Sequence, residues 1–167
     1  MKKTLLALAL IGASATASAD SWIYGSASVG QGDMGGDSST SYNVHVGTGI
    51  LPFIGLEAGY QNHGEFTNIT YGNLAGINLE GRSVYFAAKP SIDFGPLHVY
   101  AKAGLHSYEL KGINGTNFNE DEIDTMYGVG AEYFIMGPIS LGASYSIYSM
   151  KEEDVKNFSL NATFHFL

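Results

Sequence analysis

The ten positions before the C-terminal residue alternate strictly between apolar and polar side chains. The apolar positions are Phe158, Leu160, Ala162, Phe164 and Phe166. The positions between them carry Asn, Ser, Thr or His. Because successive side chains of a β-strand point to opposite faces, this pattern predicts a strand with one apolar and one polar face. A terminal strand with a free edge invites aggregation, so we expect it to pair with the first strand and close a barrel.

Seven further segments alternate in the same way, which predicts eight strands in all. They cover residues 22–31, 42–51, 54–61, 82–92, 97–108, 123–134 and 139–150, followed by 157–166. A length of about 10 residues is what a tilted strand needs to cross a bilayer. The sequence therefore predicts an all-β fold, an eight-stranded antiparallel transmembrane β-barrel of the up-and-down type.

The predicted connections are alternately long and short. Short turns with Pro or Gly fall at 52–53, 93–96 and 136–138, and polar loops fall at 32–40, 62–81, 111–122 and 151–155. Outer-membrane barrels show this asymmetry, with short turns in the periplasm and long loops outside. The pattern predicts two periplasmic termini and four extracellular loops, the tip of 62–81 extending as a short hairpin.

The two faces of the predicted barrel differ in polarity. The apolar, lipid-facing set includes Leu56, Val99, Val129, Leu141, Leu160 and Phe164. The inward set includes the charged residues Glu57, Lys89, Lys102 and Glu132. A soluble lipocalin-like barrel would show the same alternation with its apolar face turned inward. Aromatic residues near the strand ends favour the membrane, because Tyr and Trp prefer the headgroup level. They include Trp22, Tyr42, Tyr60, Tyr108 and Tyr133.

The N-terminal residues read as a cleaved secretory signal peptide rather than as part of the fold. Lys2 and Lys3 precede an apolar run, and Ala17-Ser18-Ala19 supplies the small residues of a cleavage site. The run is too short for a transmembrane helix. We therefore expect a signal peptide at 1–19 and a barrel domain at 20–167, exported through the periplasm to the outer membrane.

Composition excludes several classes of function. The chain has no cysteine, so disulfides, thiol nucleophiles and thiolate metal sites are excluded. Removing Lys2 and Lys3 leaves 6 basic against 16 acidic residues, a net charge of −10. Nucleic-acid binding needs a basic surface, so it is not expected.

Three segments resemble the OmpA-like/OmpX-like outer-membrane β-barrel family, which comprises small eight-stranded barrels of the porin family. Residues 55–60 read G-L-E-A-G-Y, residues 127–133 read Y-G-V-G-A-E-Y, and residues 99–105 read V-Y-A-K-A-G-L. They are similar to that family's G-x-E-x-G-Y strand, its G-V-G-x-E-Y strand and its basic fifth strand. The resemblance implies a Gram-negative outer-membrane barrel whose charged lumen is plugged.

The resemblance also implies that the C-terminal aromatic residues are an assembly signal read by the barrel-assembly machinery. Phe164 and Phe166 would supply that signal here. Family members usually end on an aromatic residue, whereas Leu167 follows Phe166 in this chain. Recognition would then depend on Phe166 or tolerate the terminal leucine.

The four charged residues of the inward face are the first candidate for a functional site. An eight-stranded barrel is just wide enough to be filled by side chains. Two acids and two bases there can neutralise one another, and a buried charge left unpaired costs several kcal/mol. We interpret Glu57, Lys89, Lys102 and Glu132 as a lumen charge network that plugs the barrel, with an ion path or a catalytic centre as the alternatives.

Histidines are the second candidate. His45, His98, His106 and His165 fall on the inward face, and we interpret them as lumen packing. His106-Ser107 is the nearest match to the Ser/His pair of a barrel enzyme that modifies lipid A. Adjacent strand residues point to opposite faces, so this pair cannot readily share a proton. We expect no catalytic residue, no metal site and no cofactor.

The predicted loops are rich in carboxylates, including Asp33, Asp37, Glu65, Glu120, Glu122 and Glu152. They form a solvated rim, or they hold divalent cations shared with lipopolysaccharide phosphates, or they meet a basic partner. The sequence thus predicts a non-enzymatic barrel that serves envelope integrity or surface adhesion through its loops. Its expected partners are outer-membrane lipid and lipopolysaccharide, the assembly machinery and an extracellular ligand. The alternatives are a narrow pore and a lipid A-modifying enzyme.

Overall fold

The computed structural model describes residues 23–51 and 53–166. Within them the chain forms a closed antiparallel barrel in which each strand pairs with the next and the last pairs with the first. The strands are β1 (Ile23–Met34), β2 (Asp37–Leu51), β3 (Ile54–Tyr71), β4 (Leu74–Phe94), β5 (Leu97–Gly112), β6 (Asn119–Met136), β7 (Ile139–Tyr148) and β8 (Val155–Phe166). The predicted eight-stranded up-and-down barrel is confirmed.

Some expectations fall outside the described residues. These are the signal peptide at 1–19, the aromatic residue Trp22, Pro52 of the first predicted turn, and Leu167 after the last strand. Among the described residues, no helix is long and apolar enough to cross a membrane.

The barrel has two different ends. Ile23 of β1 and Phe166 of β8 are direct partners at the end that we call the terminal end. The tight turns at Gly95 and Gly137, with φ of 64° and 53°, lie at that end too. The opposite end, which we call the distal end, carries the β1–β2, β3–β4, β5–β6 and β7–β8 connections.

Most of the residues predicted as the first two loops are strand. The prediction of a polar loop at 32–40 is wrong, because β1 continues to Met34 and β2 begins at Asp37. Gly35 and Gly36 join them with φ of 59° and 85°, the positive values that a tight hairpin turn requires. The long connection predicted at 62–81 is likewise almost entirely β-ladder, and the paired strands reach Tyr71 and Leu74.

Apolar side chains point outward over the half of the barrel nearest the terminal end. Of the residues predicted to face lipid, Leu56 is half-buried. The others are 38% to 60% exposed, namely Val99, Val129, Leu141, Leu160 and Phe164. Tyr42 and Tyr133 also point outward, but the prediction for Tyr108 is wrong, because its ring lies inside the barrel and is 1% exposed.

Apolar residues change from the outer to the inner face toward the distal end, although the side chains of β4 and β5 keep the same in–out alternation throughout. On β5, Leu105 points outward and His106 inward, whereas Leu110 points inward and Lys111 outward. On β4, Val84 points outward, but Leu79 is fully buried. A lipid-facing stretch needs apolar groups outside, whereas a water-facing stretch needs them inside. This change of face therefore marks the level at which the wall changes from lipid-facing to water-facing.

Candidate functional site: the barrel interior and its distal mouth

Glu57 on β3 is the centre of a polar network in the interior. Its carboxylate accepts hydrogen bonds from Lys102 Nζ at 2.8 Å, Tyr85 Oη at 2.7 Å and Tyr24 Oη at 3.1 Å. His45 Nε2 lies 3.5 Å from the same carboxylate. Because Glu57 is 1% exposed, these partners replace the water that an ionised carboxylate would otherwise need.

Glu132 on β6 is the second buried acid. Its Oε1 lies 4.0 Å from Lys89 Nζ, and its Oε2 accepts a hydrogen bond from Ser140 Oγ at 2.8 Å. His165 Nε2 lies 3.6 Å from Oε2. Lys89 Nζ also lies 4.3 Å from the ring centres of both Tyr24 and Tyr100, a geometry in which aromatic faces stabilise a cation.

The structure thus brings the four predicted lumen charges together as two acid–base pairs. Glu57 pairs with Lys102, and Glu132 lies beside Lys89, while Tyr24 contacts both sets through its hydroxyl and its ring face. Leaving the histidines aside, the two acids balance the two bases. A balanced, hydrogen-bonded arrangement is what makes buried charges tolerable.

Glycines explain how large tyrosines fit into so narrow an interior. Tyr24, Tyr85 and Tyr100 are the direct cross-strand partners of Gly47, Gly59 and Gly130. A Cβ at Gly59 would lie 2.7 Å from the Tyr85 ring, and one at Gly130 would lie 2.5 Å from the Tyr100 ring. The glycines of the motifs at 55–60 and 127–133 therefore leave room for rings that bind the buried charges.

A second polar layer lies nearer the distal end and includes the fifth histidine, which the sequence did not identify. His63 is fully buried, and its Nε2 lies 2.7 Å from Ser83 Oγ. His106 Nδ1 lies 3.1 Å from the same oxygen, and His106 Nε2 donates to the carbonyl of Ser149 at 2.8 Å. The ring of Tyr148 packs edge-on against both imidazoles. The sequence predicts His63 in the loop at 62–81, because the alternation of apolar residues breaks around it.

The predicted candidate His106-Ser107 is not a pair, since His106 is buried and Ser107 points outward. The hydrogen-bonded serine is Ser83, on the neighbouring strand β4. Ser83 is 2% exposed, and its hydroxyl group is held between the two buried imidazoles.

An apolar cap closes the distal mouth above these layers, and the sequence did not predict it. The cap comprises Met34, Phe66, Ile69, Leu79, Leu110, Met126, Met150 and Val155. The Phe66 ring of β3 extends inside β2 toward β1 and β8, since a Cβ at Gly32 of β1 would lie 3.6 Å from both Phe66 and Val155. Part of the signal lies in the sequence, because Met34, Phe66, Ile69, Leu79 and Val155 are apolar residues within the predicted polar loops.

The β7–β8 connection crosses the cap as a strap, which we define as residues 149–154. Ser149 N donates to Thr125 O at 3.0 Å, and Lys151 N donates to Tyr108 Oη at 3.1 Å. Met150, between them, is 5% exposed and packs into the cap. A Cβ at Gly72, in the β3–β4 turn, would lie 2.9 Å from the Glu152 carboxyl group. The strap therefore reaches from β6 to the far side of the mouth.

Carboxylates and a few bases surround this mouth. Glu120 accepts from Tyr71 Oη at 2.6 Å and from Tyr108 Oη at 3.1 Å, which links β3, β5 and β6. Lys151 Nζ lies 3.3 Å from Glu122 Oε1, and this hydrogen bond raises the pKa of Lys151. In the part of the chain that the structure describes, no three His, Asp or Glu side chains converge as metal ligands.

A group of charged side chains also lies on the outer wall, at the level where the apolar residues change from the outer to the inner face. Arg82 Nε donates to Glu109 Oε2 at 2.6 Å, and Lys111 Nζ lies 2.5 Å from Glu109 Oε1. At the terminal end, His98 Nδ1 lies 2.5 Å from Asp93 Oδ1. Phe164 and Phe166 pack against each other on the outside, with ring centres 4.8 Å apart. Their role in assembly stays a prediction.

Known structures share this barrel. Neisserial surface protein A aligns with a TM-score of 0.60 and 14% identity over 86% of this chain and 96% of that one. Ail, the attachment invasion locus protein of Yersinia pestis, in complex with the heparin analogue sucrose octasulfate, aligns with a TM-score of 0.57 and 14% identity over 86% of this chain and 96% of Ail. The outer membrane enzyme PagL aligns with a TM-score of 0.50 and 16% identity over 86% of this chain and 99% of PagL. At such identities the likeness establishes the fold alone.

A search of curated proteins found no relative with significant sequence similarity. The family model described as the outer membrane protein beta-barrel domain matches residues 4–166, nearly the whole chain. That match agrees with the closed barrel and with its outward apolar face. The chain belongs to the outer membrane protein β-barrel family and is an outer-membrane β-barrel.

Proposed function

We propose that this protein is a non-enzymatic barrel with a plugged lumen and that its distal end acts outside the cell, in surface interaction or in envelope integrity. The observation that carries the proposal is the folded state of the distal hairpins. The β3–β4 ladder continues from Gly64–Gly81 to Tyr71–Leu74, well past the lipid-facing stretch. A rigid hairpin presents a fixed surface and costs less ordering entropy on binding than a flexible loop does.

Side chains of β2 hold this hairpin in place. Asp37 Oδ2 accepts from Thr67 N at 2.6 Å, and Ser39 Oγ accepts from Glu65 N at 2.8 Å. These contacts occupy backbone donors of β3 beyond Asn62, where the β2–β3 ladder ends. Occupied donors cannot pair with another chain, so the hairpin is protected against edge-to-edge aggregation while its outward side chains stay available.

Charge indicates the kind of partner. Acidic side chains outnumber basic ones around the distal end, including Glu65, Glu120, Asp121, Glu122, Glu152, Glu153 and Asp154. A basic protein surface would complement them, as would divalent cations that bridge to lipopolysaccharide phosphates. Ail was crystallised with a heparin analogue, a polyanion. The distal charge here is of the opposite sign from what a polyanion needs, so we do not extend that ligand to this chain.

A lipid A-modifying enzyme is the weaker alternative. PagL shows that an enzyme can be built on this fold. Here the hydrogen-bonded Ser83 and His106 lie in the interior, and the exposed Ser107 has its neighbouring imidazole on the opposite face. Mass spectrometry of lipid A from cells with and without the protein should show the same acyl composition; a lost or added acyl chain would overturn the non-enzymatic proposal.

The test of the surface role compares charge-neutralised variants on whole cells. Glu152→Gln/Glu153→Gln/Asp154→Asn removes three carboxylates from the strap region, and Asp93→Asn provides a control at the terminal end. Binding of cells to a cationic surface, and growth in the presence of a chelator, should change with the first variant and not with the control. Unchanged behaviour in both assays, with both variants folded in the membrane, would contradict a surface role for the acidic distal end.

A further inference from the structure

Some polar residues of the interior near the terminal end are slightly exposed, whereas most of the distal cap is fully buried. The cap residues Met34, Phe66, Leu79, Leu110 and Val155 are all 0% exposed. Polar residues nearer the terminal end keep some exposure, with Ser26 at 8%, Ser91 at 8% and His165 at 9%. Solvent therefore reaches parts of the lower interior, whereas these five cap side chains are completely shielded from it.

Several polar atoms of the lower interior also lack a protein partner. Among the described residues, neither the Nδ2 nor the Oδ1 atom of Asn161 makes a hydrogen bond, and the same is true of Nδ1 of His165. Buried polar groups left without protein partners are usually hydrogen-bonded to internal water. The direct cross-strand partners of Asn161 are the small residues Gly142 and Ser28, and Ser159 and Thr163 are its inward-facing neighbours on β8. Polar partners and limited side-chain volume are the conditions under which water enters a protein interior.

We propose that the apolar cap under its strap is the barrier to solutes, and that the polar lumen below it is a water-filled vestibule open only at the terminal end. This inference rests on the closed lumen and the membrane orientation of the proposed function. It assigns much of the seal to residues in segments predicted as loops, namely Met34, Phe66, Ile69, Leu79 and Val155. It also gives the buried charge network a different task, which is to keep the wall folded around a hydrated interior.

The chemistry of the two layers supports this assignment. Apolar constrictions block ions because water leaves them, and an ion cannot enter without its hydration shell. Charged and hydroxyl groups, such as Glu57, Lys102 and Tyr85, can instead replace part of that shell. The strap holds the cap closed through Met150, which has hydrogen-bonded neighbours on both sides at Ser149 and Lys151.

Conductance in planar bilayers tests which layer is the seal. Wild-type protein should be silent, and Phe66→Ser/Leu110→Ser should open discrete channels that follow salt concentration. Glu57→Gln/Lys102→Met removes one balanced pair from the lumen and should stay silent. Met150→Ser, a milder change in the strap, should raise the opening frequency if the double cap variant folds poorly. Channels in the charge-pair variant together with silence in both cap variants would overturn the proposal.

Thiol labelling tests from which end of the barrel a small solute enters the lumen. Because the chain has no cysteine, an introduced cysteine is its single reactive thiol. Asn161→Cys places a thiol in the vestibule, and Thr67→Cys places one on the exposed distal hairpin to report orientation in lipid vesicles. A small charged methanethiosulfonate added outside should modify Asn161→Cys only in barrels whose terminal end faces the reagent. When Phe66→Ser is also present, the reagent should modify the Asn161→Cys thiol from either side of the membrane.

Two results would refute the vestibule. One is modification of Asn161→Cys from the distal side in the otherwise wild-type barrel, and the other is no modification from the terminal side. Neither result bears on whether the acidic distal end binds a partner, because that is read on whole cells. The two proposals can therefore fail separately.

Discussion

Loss of the Glu57 carboxylate should be the most damaging single change in the lumen. Glu57→Gln keeps the volume of the side chain but removes the charge that faces Lys102 Nζ at 2.8 Å. Lys102 is 6% exposed, and Glu57 is the acid that neutralises it. Removing one partner of a buried pair costs about 3–5 kcal/mol, because an uncompensated charge is left behind. Since whole domains are stable by about 5–15 kcal/mol, this is a large share of the total.

A second substitution distinguishes the effect of the unpaired charge on stability from the effect of altered packing. In Glu57→Gln/Lys102→Met both charges are gone, and replacing a buried pair by neutral groups of similar volume is often neutral or stabilising. The double variant should therefore recover most of the loss. The assay is urea unfolding in detergent micelles, followed by far-ultraviolet circular dichroism, with the heat-dependent gel shift as a check of folding. A Glu57→Gln midpoint equal to that of wild type, or a double variant as unstable as the single, would refute the network.

The remaining predictions use the same unfolding assay. Leu141→Arg places a charge on the lipid-facing wall and should cost about 2–4 kcal/mol if it lies near the midplane; heat-resistant folding equal to wild type would contradict the outward assignment. Glu132→Ala should destabilise the barrel more than Glu122→Ala, because only the first leaves a buried lysine without its acid; equal effects would contradict the plug. Gly59→Ala would bring a Cβ within 2.7 Å of the facing tyrosine ring and should cost roughly 1–3 kcal/mol by overpacking. Its control is Gly25→Ala, where the added atom would lie 3.8 Å from its neighbour and should be nearly neutral.

The number of strands, their order and the charged lumen could all be read from the chain. Apolar and polar residues that alternate with a period of two identify a strand whose two faces meet different surroundings. This pattern is visible in the sequence alone. In β8, from Phe158 to Phe166, every apolar residue faces outward as the pattern predicts. The same logic placed Glu57, Lys89, Lys102 and Glu132 inside, although it did not say which acid meets which base.

The distal half was misread because the solvent changes along the strand. Phe66, Leu79 and Leu110 follow the same period as the lipid-facing residues but point inward, since water replaces lipid outside them. Where the apolar residues change from the outer to the inner face within one strand, the regular alternation of the sequence is interrupted. Segments 32–40 and 62–81 are therefore predicted as loops. Met34 and Val155 belong to the cap for the same reason.

The sequence by itself determined a closed barrel with lipid outside and charges within, because that information is local and repeats every two residues. Only the tertiary structure decided the pairing of Glu57 with Lys102, the place of tyrosine rings over glycines, and the cap held by the 149–154 strap. Those features join residues far apart in the chain, such as Phe66 and Val155, and no local pattern records which distant side chains share one cross-section of the barrel.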